Sequence, residues 1–302
     1  MIKLPPGINI HELIDDLRIF CWEAAEILLF YSKILKDSNY KSNIIKNDNN
    51  RDPVTLADLE VNQLIIQRIN EKYKDVDWDI LSEENVKSVP FNCDKNADWI
   101  WVLDPLDGTK DFIQGTKNYA MHLALNYKLK PYLGVVLIPE RDELWFAYEN
   151  SVWSEKRDRS KTKSNVAKNK SLSEMALVTS KNHRNESLQK LIKKINFNRV
   201  VSMGSIGCKI ASIVRGESDI YICLSLPGGT SPKDWDFAAP EAILNAAGGA
   251  ITNLDNQELS YGNTNFEQKG IIIASNNLIS HKKICLEIKE IIQNNDILPI
   301  QV

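Results

Sequence analysis

Apolar residues recur at three- and four-residue steps through Leu13, Leu17, Phe20, Ala24, Leu28, Tyr31 and Leu35, the spacing of one buried helix face. Asn9 with Glu12 supplies an N-terminal capping pattern in front of them. The polar stretch Ser38 to Asp52 breaks the period. A second helix is predicted from near Thr55 to about Tyr73, with Leu59, Ile65, Ile66 and Ile69 buried. From Trp99 the pattern changes. Trp99 to Leu103 is an unbroken apolar run, as expected of a strand covered on both faces. Short strands are predicted at Met121–Tyr127, Tyr132–Ile138, Glu143–Tyr148 and Ser151–Ser154, separated by Lys-Pro and Pro-Glu-Arg-Asp turn chemistry, which describes an antiparallel meander.

Ser154 to Ser171 is rich in Lys, Arg, Ser and Asn and reads as a solvated link between two halves. Beyond it strand and helix alternate. Strands are expected at Met175–Thr179, Arg199–Ser202, Asp219–Cys223 and Gly270–Ala274. Helices are expected at Ser187–Ile195, Ile206–Arg215, Phe237–Ala247 and Asn277–Gln293. The fold class is therefore α/β, with an α+β N-terminal half over residues 1–160 and an α/β C-terminal half over 161–302.

Composition narrows the function. A chain of 302 residues, 43% hydrophobic and 25% charged, has the make-up of a globular protein with one large core or two modest ones. A formal net charge of −3 gives no field to hold nucleic acid or an anionic membrane. No apolar run approaches the ~20 residues of a membrane helix, and Met1 to Asp16 lacks the apolar stretch of a signal peptide. Cys21, Cys93, Cys208, Cys223 and Cys285 are scattered and odd in number, which fits free thiols in a reducing cytoplasm. An enzyme or binder of small molecules is expected. Its oligomeric state is not legible.

The chemistry lies in acids at expected element ends. Asp104 and Asp107 leave the apolar strand in Asp104-Pro-Leu-Asp-Gly-Thr109, where Pro105 fixes one backbone angle and Gly108 permits an unusual one. Backbone N–H groups of Gly108 and Thr109 would face an anion such as phosphate. Glu83-Glu84 follows the short run Asp79 to Ser82, Asp234 and Asp236 flank Trp235 before the helix at Phe237, and Asp58 falls in a first helical turn. Singly, Asp58 and Asp236 would do no more than complement a helix dipole, for about 0.3–1 kcal/mol. Together they point carboxylates from elements that can converge. Oxygen donors without His or Cys at ligand spacing suit Mg²⁺ rather than Zn²⁺. No GxSxG elbow accompanies the histidines, although a Ser-His-Asp arrangement stays open. Two residues separate Asp104 from Asp107, where covalent aspartyl-phosphate enzymes have one, and this spacing counts against such an intermediate.

Asp58, Glu83-Glu84, Asp104 to Thr109 and Trp235-Asp236, in that order, resemble the pattern of the inositol monophosphatase family over roughly residues 52–249. Gly134 to Pro139 and Asp142 to Leu144 resemble the family's central hairpin. The resemblance implies a layered α-β-α-β-α sandwich and two to three Mg²⁺ ions. Glu83, Asp104 and the Leu106 carbonyl would hold one ion, and Asp104, Asp107 and Asp236 a second. Asp58 and Glu83 would assist a third, and Thr109 hydrogen-bonded to Asp58 would help deprotonate the attacking water.

Asp107 to Ile113, with Lys110, is most similar to the CysQ-type 3′(2′),5′-bisphosphate nucleotidase branch. Ser180 to His183 and Lys209, five residues after Gly204, match that branch as well. The implied substrate contacts are Gly108, Thr109, Lys110, Ser180, His183, Gly204, Ser205, Lys209 and Asp236. Two positions depart: Ile206 stands where the branch has a serine, and Cys223 where it has an arginine. The expected activity is removal of the 3′-phosphate of adenosine 3′,5′-bisphosphate, a small phosphate monoester. An inositol- or sugar-phosphate hydrolase and a catalytically idle nucleotide sensor are the alternatives.

Overall fold

The computed structural model describes residues 3–37, 41–47, 53–88, 97–162, 164, 170–182, 185–225, 230–263 and 265–298. Helix α1 (Ile10–Ile34) buries Leu13, Leu17, Phe20, Ala24, Leu28 and Tyr31 on one face, as its period predicts. Asn9 does cap it, accepting from the backbone N–H of His11, but Glu12 does not complete a box. Within the polar stretch that follows lie a short helix α2 (Lys41–Ile44) and strand β1 (Ile45–Asn47), paired with β2 (Val54–Thr55). Helix α3 (Leu56–Lys72) starts at a capping box in which Thr55 and Asp58 bond each other's backbone. Its buried face is Ala57, Asp58, Val61, Ile65 and Ile69; Leu59, expected inside, is exposed, because it sits on the opposite side from Val61 and Ile65.

Seven strands form the first large sheet, in the order β3 (Asp79–Ser82), β4 (Trp99–Asp107), β5 (Ala120–Tyr127), β6 (Lys130–Ile138), β7 (Glu143–Tyr148), β8 (Ser151–Glu155) and β9 (Lys161–Thr162). All nine positions of β4 are buried, as its unbroken apolar run requires. The last strand falls inside the stretch expected to be a loop: backbone pairing of Lys161 with Glu155 extends the sheet even though both its residues are exposed. Short helices α4 (Glu83–Ser88) and α5 (Thr109–Ile113) follow β3 and β4.

Five strands form the other large sheet, in the order β11 (Arg199–Met203), β10 (Ala176–Ser180), β12 (Ile220–Ser225), β14 (Gly270–Ser275) and β13 (Ala250–Asn253). Of these, β13 is not among the strands expected from the sequence. Helices α6 (Glu186–Ile195), α7 (Ile206–Val214), α8 (Asp234–Ala246) and α9 (Leu278–Asn294) complete the chain.

Strand alternation assigns each face to a core. Trp101, Leu103, Leu123, Val135 and Phe146 pack with α1 and α3. Val102, Ala124, Val136 and Trp145 point the other way, to α7, α8 and the near face of the five-stranded sheet. Ile220, Ile222 and Ile273 on the far face of that sheet pack with α6 and α9. The layers run α-β-α-β-α. Each fully buried Leu or Ile in them contributes roughly 1.5–3 kcal/mol. Helix α8 seats on β6 only because residue 134 is glycine: a β-carbon there would fall 2.7 Å from the Ala239 carbonyl oxygen.

Cys21, Cys208 and Cys285 are buried and Cys223 half-buried, all free thiols, while Cys93 lies outside the described residues. No helix among the described residues is long and apolar enough to cross a membrane.

Candidate active site

Three elements bring the acids together. Strand β4 pairs with β5 at Asp104↔His122 and at Asp107↔Ala120, so three steps on one strand match two on the other. Pro105 and Leu106 form the resulting bulge, a device that re-aims side chains next to active sites. Asp104 steadies it by accepting from Leu106 N at 3.0 Å. Gly108 then turns with φ +88, where a β-carbon would stand 3.0 Å from the Asn118 carbonyl oxygen. Strand β3 runs parallel to β4 with Ser82 opposite Leu103, which sets Glu83 beside Asp104 at the same strand ends. The third contribution is the first turn of α8. Oxygens of Asp104, Asp107 and Asp236 lie within 4.8 Å of one another.

Asp234 and Asp236 both flank Trp235 ahead of the helix expected at Phe237, and the family resemblance assigns the site to Asp236. In fact α8 begins at Asp234, because Lys233 adopts the extended cap conformation and Asp236 accepts its backbone N–H at 2.6 Å. Asp234 turns away and is satisfied by Gly262 N and Gln268 Nε2, each at 2.7 Å. Only Asp236 joins the cluster.

The electrostatics follow from this crowding. Burial, and then the facing carboxylates of Glu83, Asp107 and Asp236, hold Asp104 well above the usual carboxylate range. Burial, then Asp107 and Glu83, do the same to Asp236. Burial would also raise Asp107, but His122, Lys209 and Ser205 outweigh it and hold that carboxyl below its ordinary value. Its Oδ2 accepts from Ser205 Oγ at 2.6 Å and from Gly207 N at 3.1 Å. Acids forced together in this way bind protons only for want of a better cation. An all-oxygen set suits a hard divalent ion, so the residues fit Mg²⁺.

Next to the cluster, Thr109 Oγ1 lies 3.0 Å from the Leu106 carbonyl oxygen and 3.3 Å from Asp58 Oδ1. Asp58 is buried and pushed up to about 7, by burial first and then by Glu84 and Glu83, against its bonds from Thr55. Lys87 reaches Glu83 Oε1 at 2.9 Å and Glu84 Oε1 at 3.1 Å.

A cleft of about 570 Å³ opens over these groups. Glu83, Asp104, Leu106, Asp107, Gly108, Thr109 and Asp236 line it together with Lys110, Ser180, Gly204 and Lys209. Ile206 and Cys223 line it too. Lys209 is buried: its Nζ donates to the Gly204 carbonyl at 2.7 Å and lies 5.1 Å from the centre of the Tyr221 ring. Burial lowers its pKa against the pull of Asp107. The Ser205 hydroxyl is spent on Asp107 and on the Cys208 N–H that it caps. His183 lies outside the described residues.

His122 and Lys87 were not singled out from the sequence. Lys87 had a usable signal, the i,i+4 spacing from Glu83, had α4 been expected there. For His122 the signal is the cross-strand register, which a single sequence does not display.

The inositol monophosphatase family model matches residues 11–293, and the chain belongs to that family. It is 32% identical over 209 residues to the 3′(2′),5′-bisphosphate nucleotidase CysQ of Buchnera aphidicola, covering 69% of this chain and 74% of that protein. It is 30% identical over 257 residues to the nucleotidase of the same name from Haemophilus influenzae, covering 84% and 88%. Among solved structures, the extragenic suppressor protein suhB from Bartonella henselae superposes with a TM-score of 0.72 at 20% identity, covering 94% of this chain and 99% of that one.

Proposed function

We propose that this chain is a cytoplasmic, Mg²⁺-dependent phosphomonoesterase that removes the 3′-phosphate of adenosine 3′,5′-bisphosphate, a step of nucleotide salvage linked to sulfur assimilation. The observation that carries it is the convergence of Asp104, Asp107 and Asp236 beside the Thr109–Asp58 contact. Family membership and likeness to nucleotidases support it. Free thiols suit a reducing compartment.

Asp104, Glu83 and the Leu106 carbonyl would hold one Mg²⁺, and Asp104, Asp107 and Asp236 a second, with Asp58 and Glu83 beside a third. When bound, the ions supply charge for the phosphate and the leaving alkoxide and acidify water. The protein's own residues do the rest. Thr109 Oγ1 has one proton and two acceptors in reach. With its own proton directed to Asp58, Oγ1 can accept a hydrogen bond from the attacking water, and the proton that leaves the water ends on Asp58 by way of Oγ1. Asp58, pushed up to about 7 in the cation-free protein, is placed to receive that proton. Backbone N–H groups of Gly108 and Thr109 would hold phosphate oxygens, with Lys110, Ser180, Gly204 and Lys209 shaping the nucleotide side.

A second reading, hydrolysis of inositol or sugar phosphates, is favoured by Ile206 and Cys223, which put no strong donors on the nucleotide wall of the cleft. An idle sensor would not need the Thr109–Asp58 contact. Phosphate release from adenosine 3′,5′-bisphosphate and from inositol 1-phosphate, assayed side by side with Mg²⁺, decides between them. Faster release from the bisphosphate is expected; faster release from the inositol ester moves the protein to the second reading.

A further inference from the structure

Among the buried polar side chains that the proposed chemistry leaves unused, His122 stands nearest to it. The ring is wholly buried on β5, directly opposite Asp104 in register. Nε2 lies 3.1 Å from Oδ2 of Asp107, off the line of a hydrogen bond. Nδ1 lies 3.4 Å from the carbonyl oxygen of Trp235, the residue before Asp236. Gly207 makes room for the ring: a β-carbon there would fall 2.2 Å from Nε2. Ser205 Oγ and Gly207 N bond the same oxygen of Asp107.

One side chain thus touches the bulge of β4, the start of α7 and the first turn of α8. We infer that His122 is a positioning residue for the cation site, an inference that rests on the cation-binding reading above. It holds Oδ2 of Asp107 back against α7, so that Oδ1 is the oxygen presented to a cation. Through the Trp235 carbonyl it also fixes how far Asp236 stands from Asp107. The residue takes no part in bond making. Groups that orient metal ligands in this way alter metal affinity by roughly 10–100-fold when removed.

Mn²⁺ binding to the metal-stripped full-length protein, read as loss of the free-ion electron paramagnetic resonance signal, tests this without any turnover. His122→Leu, folded by circular dichroism, should bind Mn²⁺ about 10- to 100-fold more weakly than wild type. His122→Gln, whose amide can reach the place of Nε2, should recover part of that loss. A folded His122→Leu with wild-type affinity overturns the inference, and so does His122→Gln binding no better than His122→Leu, the mark of packing alone. Should His122→Leu fail to fold, Gly207→Ala serves instead, since its methyl displaces the ring from Asp107. Weaker binding then supports the positioning role, and unchanged affinity overturns it. Wild type that binds no Mn²⁺ overturns the cation reading itself and this inference with it, an outcome distinct from failure of the variants alone.

Discussion

Asp219 and Asp104 are both buried carboxylates at the ends of strands, and they are treated in opposite ways. Asp219 accepts from Ala176 N at 2.7 Å, Asn276 Nδ2 at 3.0 Å and Lys170 Nζ at 2.8 Å. Donors surround it. Asp104 has the Leu106 N–H, and otherwise faces Glu83, Asp107 and Asp236. A buried acid closed off by donors is part of the scaffold; one that faces other acids across a cleft is built for a cation. The five-stranded sheet carries the first kind, and the C-terminal end of β4 in the seven-stranded sheet the second.

The largest expected effect separates the two. Asp107→Asn should lower turnover by roughly 10²–10³-fold or more, and should lose some stability too, because Oδ2 gives up charge-assisted bonds from Ser205 Oγ and Gly207 N. Asp219→Asn should leave turnover per folded molecule unchanged and cost about 1.5–3 kcal/mol of stability through its charge-assisted bonds. Steady-state kinetics and urea melts on both variants check this. A stability loss confined to Asp107→Asn would break the comparison.

Much of this was legible in the sequence. The strand from Trp99, the motif acids and the alternation of the second half all found their places, because local period and a rigid Asp-Pro turn act over few residues. What was not legible depends on tertiary contact. Leu59, expected inside, is exposed; Gly262 N and Gln268 Nε2, which satisfy Asp234, lie far along the chain. His122 gained its place from register, and the Ser205 hydroxyl turned to Asp107 rather than lying open to the cleft.

Next in size is the linkage between pH and cation. The folded pKa of Asp58 is raised, to about 7, and those of Asp104 and Asp236 are raised as well. Their protonated forms thus favour the cation-free fold. That stability is present in acid and is lost as pH rises through the folded values. Mg²⁺ compensates the ionised acids, so the gap in melting temperature with and without Mg²⁺ should widen from about pH 5 to about pH 8. Asp234 and Glu241, raised by burial to about 6 and about 7, slope both curves alike, so the gap is the measure. A gap that narrows with pH would count against cation binding by these acids.

Thr109→Ala should lower kcat by about 10²-fold and leave KM nearly unchanged, since the hydroxyl acts on water rather than on phosphate. A phospho-enzyme trapped in this variant or in wild type would replace water attack with a covalent route. The smallest effect is on substrate choice. Lys209→Ala should raise KM for adenosine 3′,5′-bisphosphate about tenfold, at the low end for a charge-assisted bond because Gly204 already engages the ammonium. KM for inositol 1-phosphate should barely move. Equal changes would place Lys209 with the scaffold, beside Asp219.

The contrast between the two kinds of acid reduces to whether the cluster works with a divalent cation. Phosphate release from adenosine 3′,5′-bisphosphate, followed in Mg²⁺, then in excess chelator, then with Mg²⁺ restored, asks this directly. The account predicts activity that vanishes with the chelator and returns with the ion; full activity in excess chelator would contradict it.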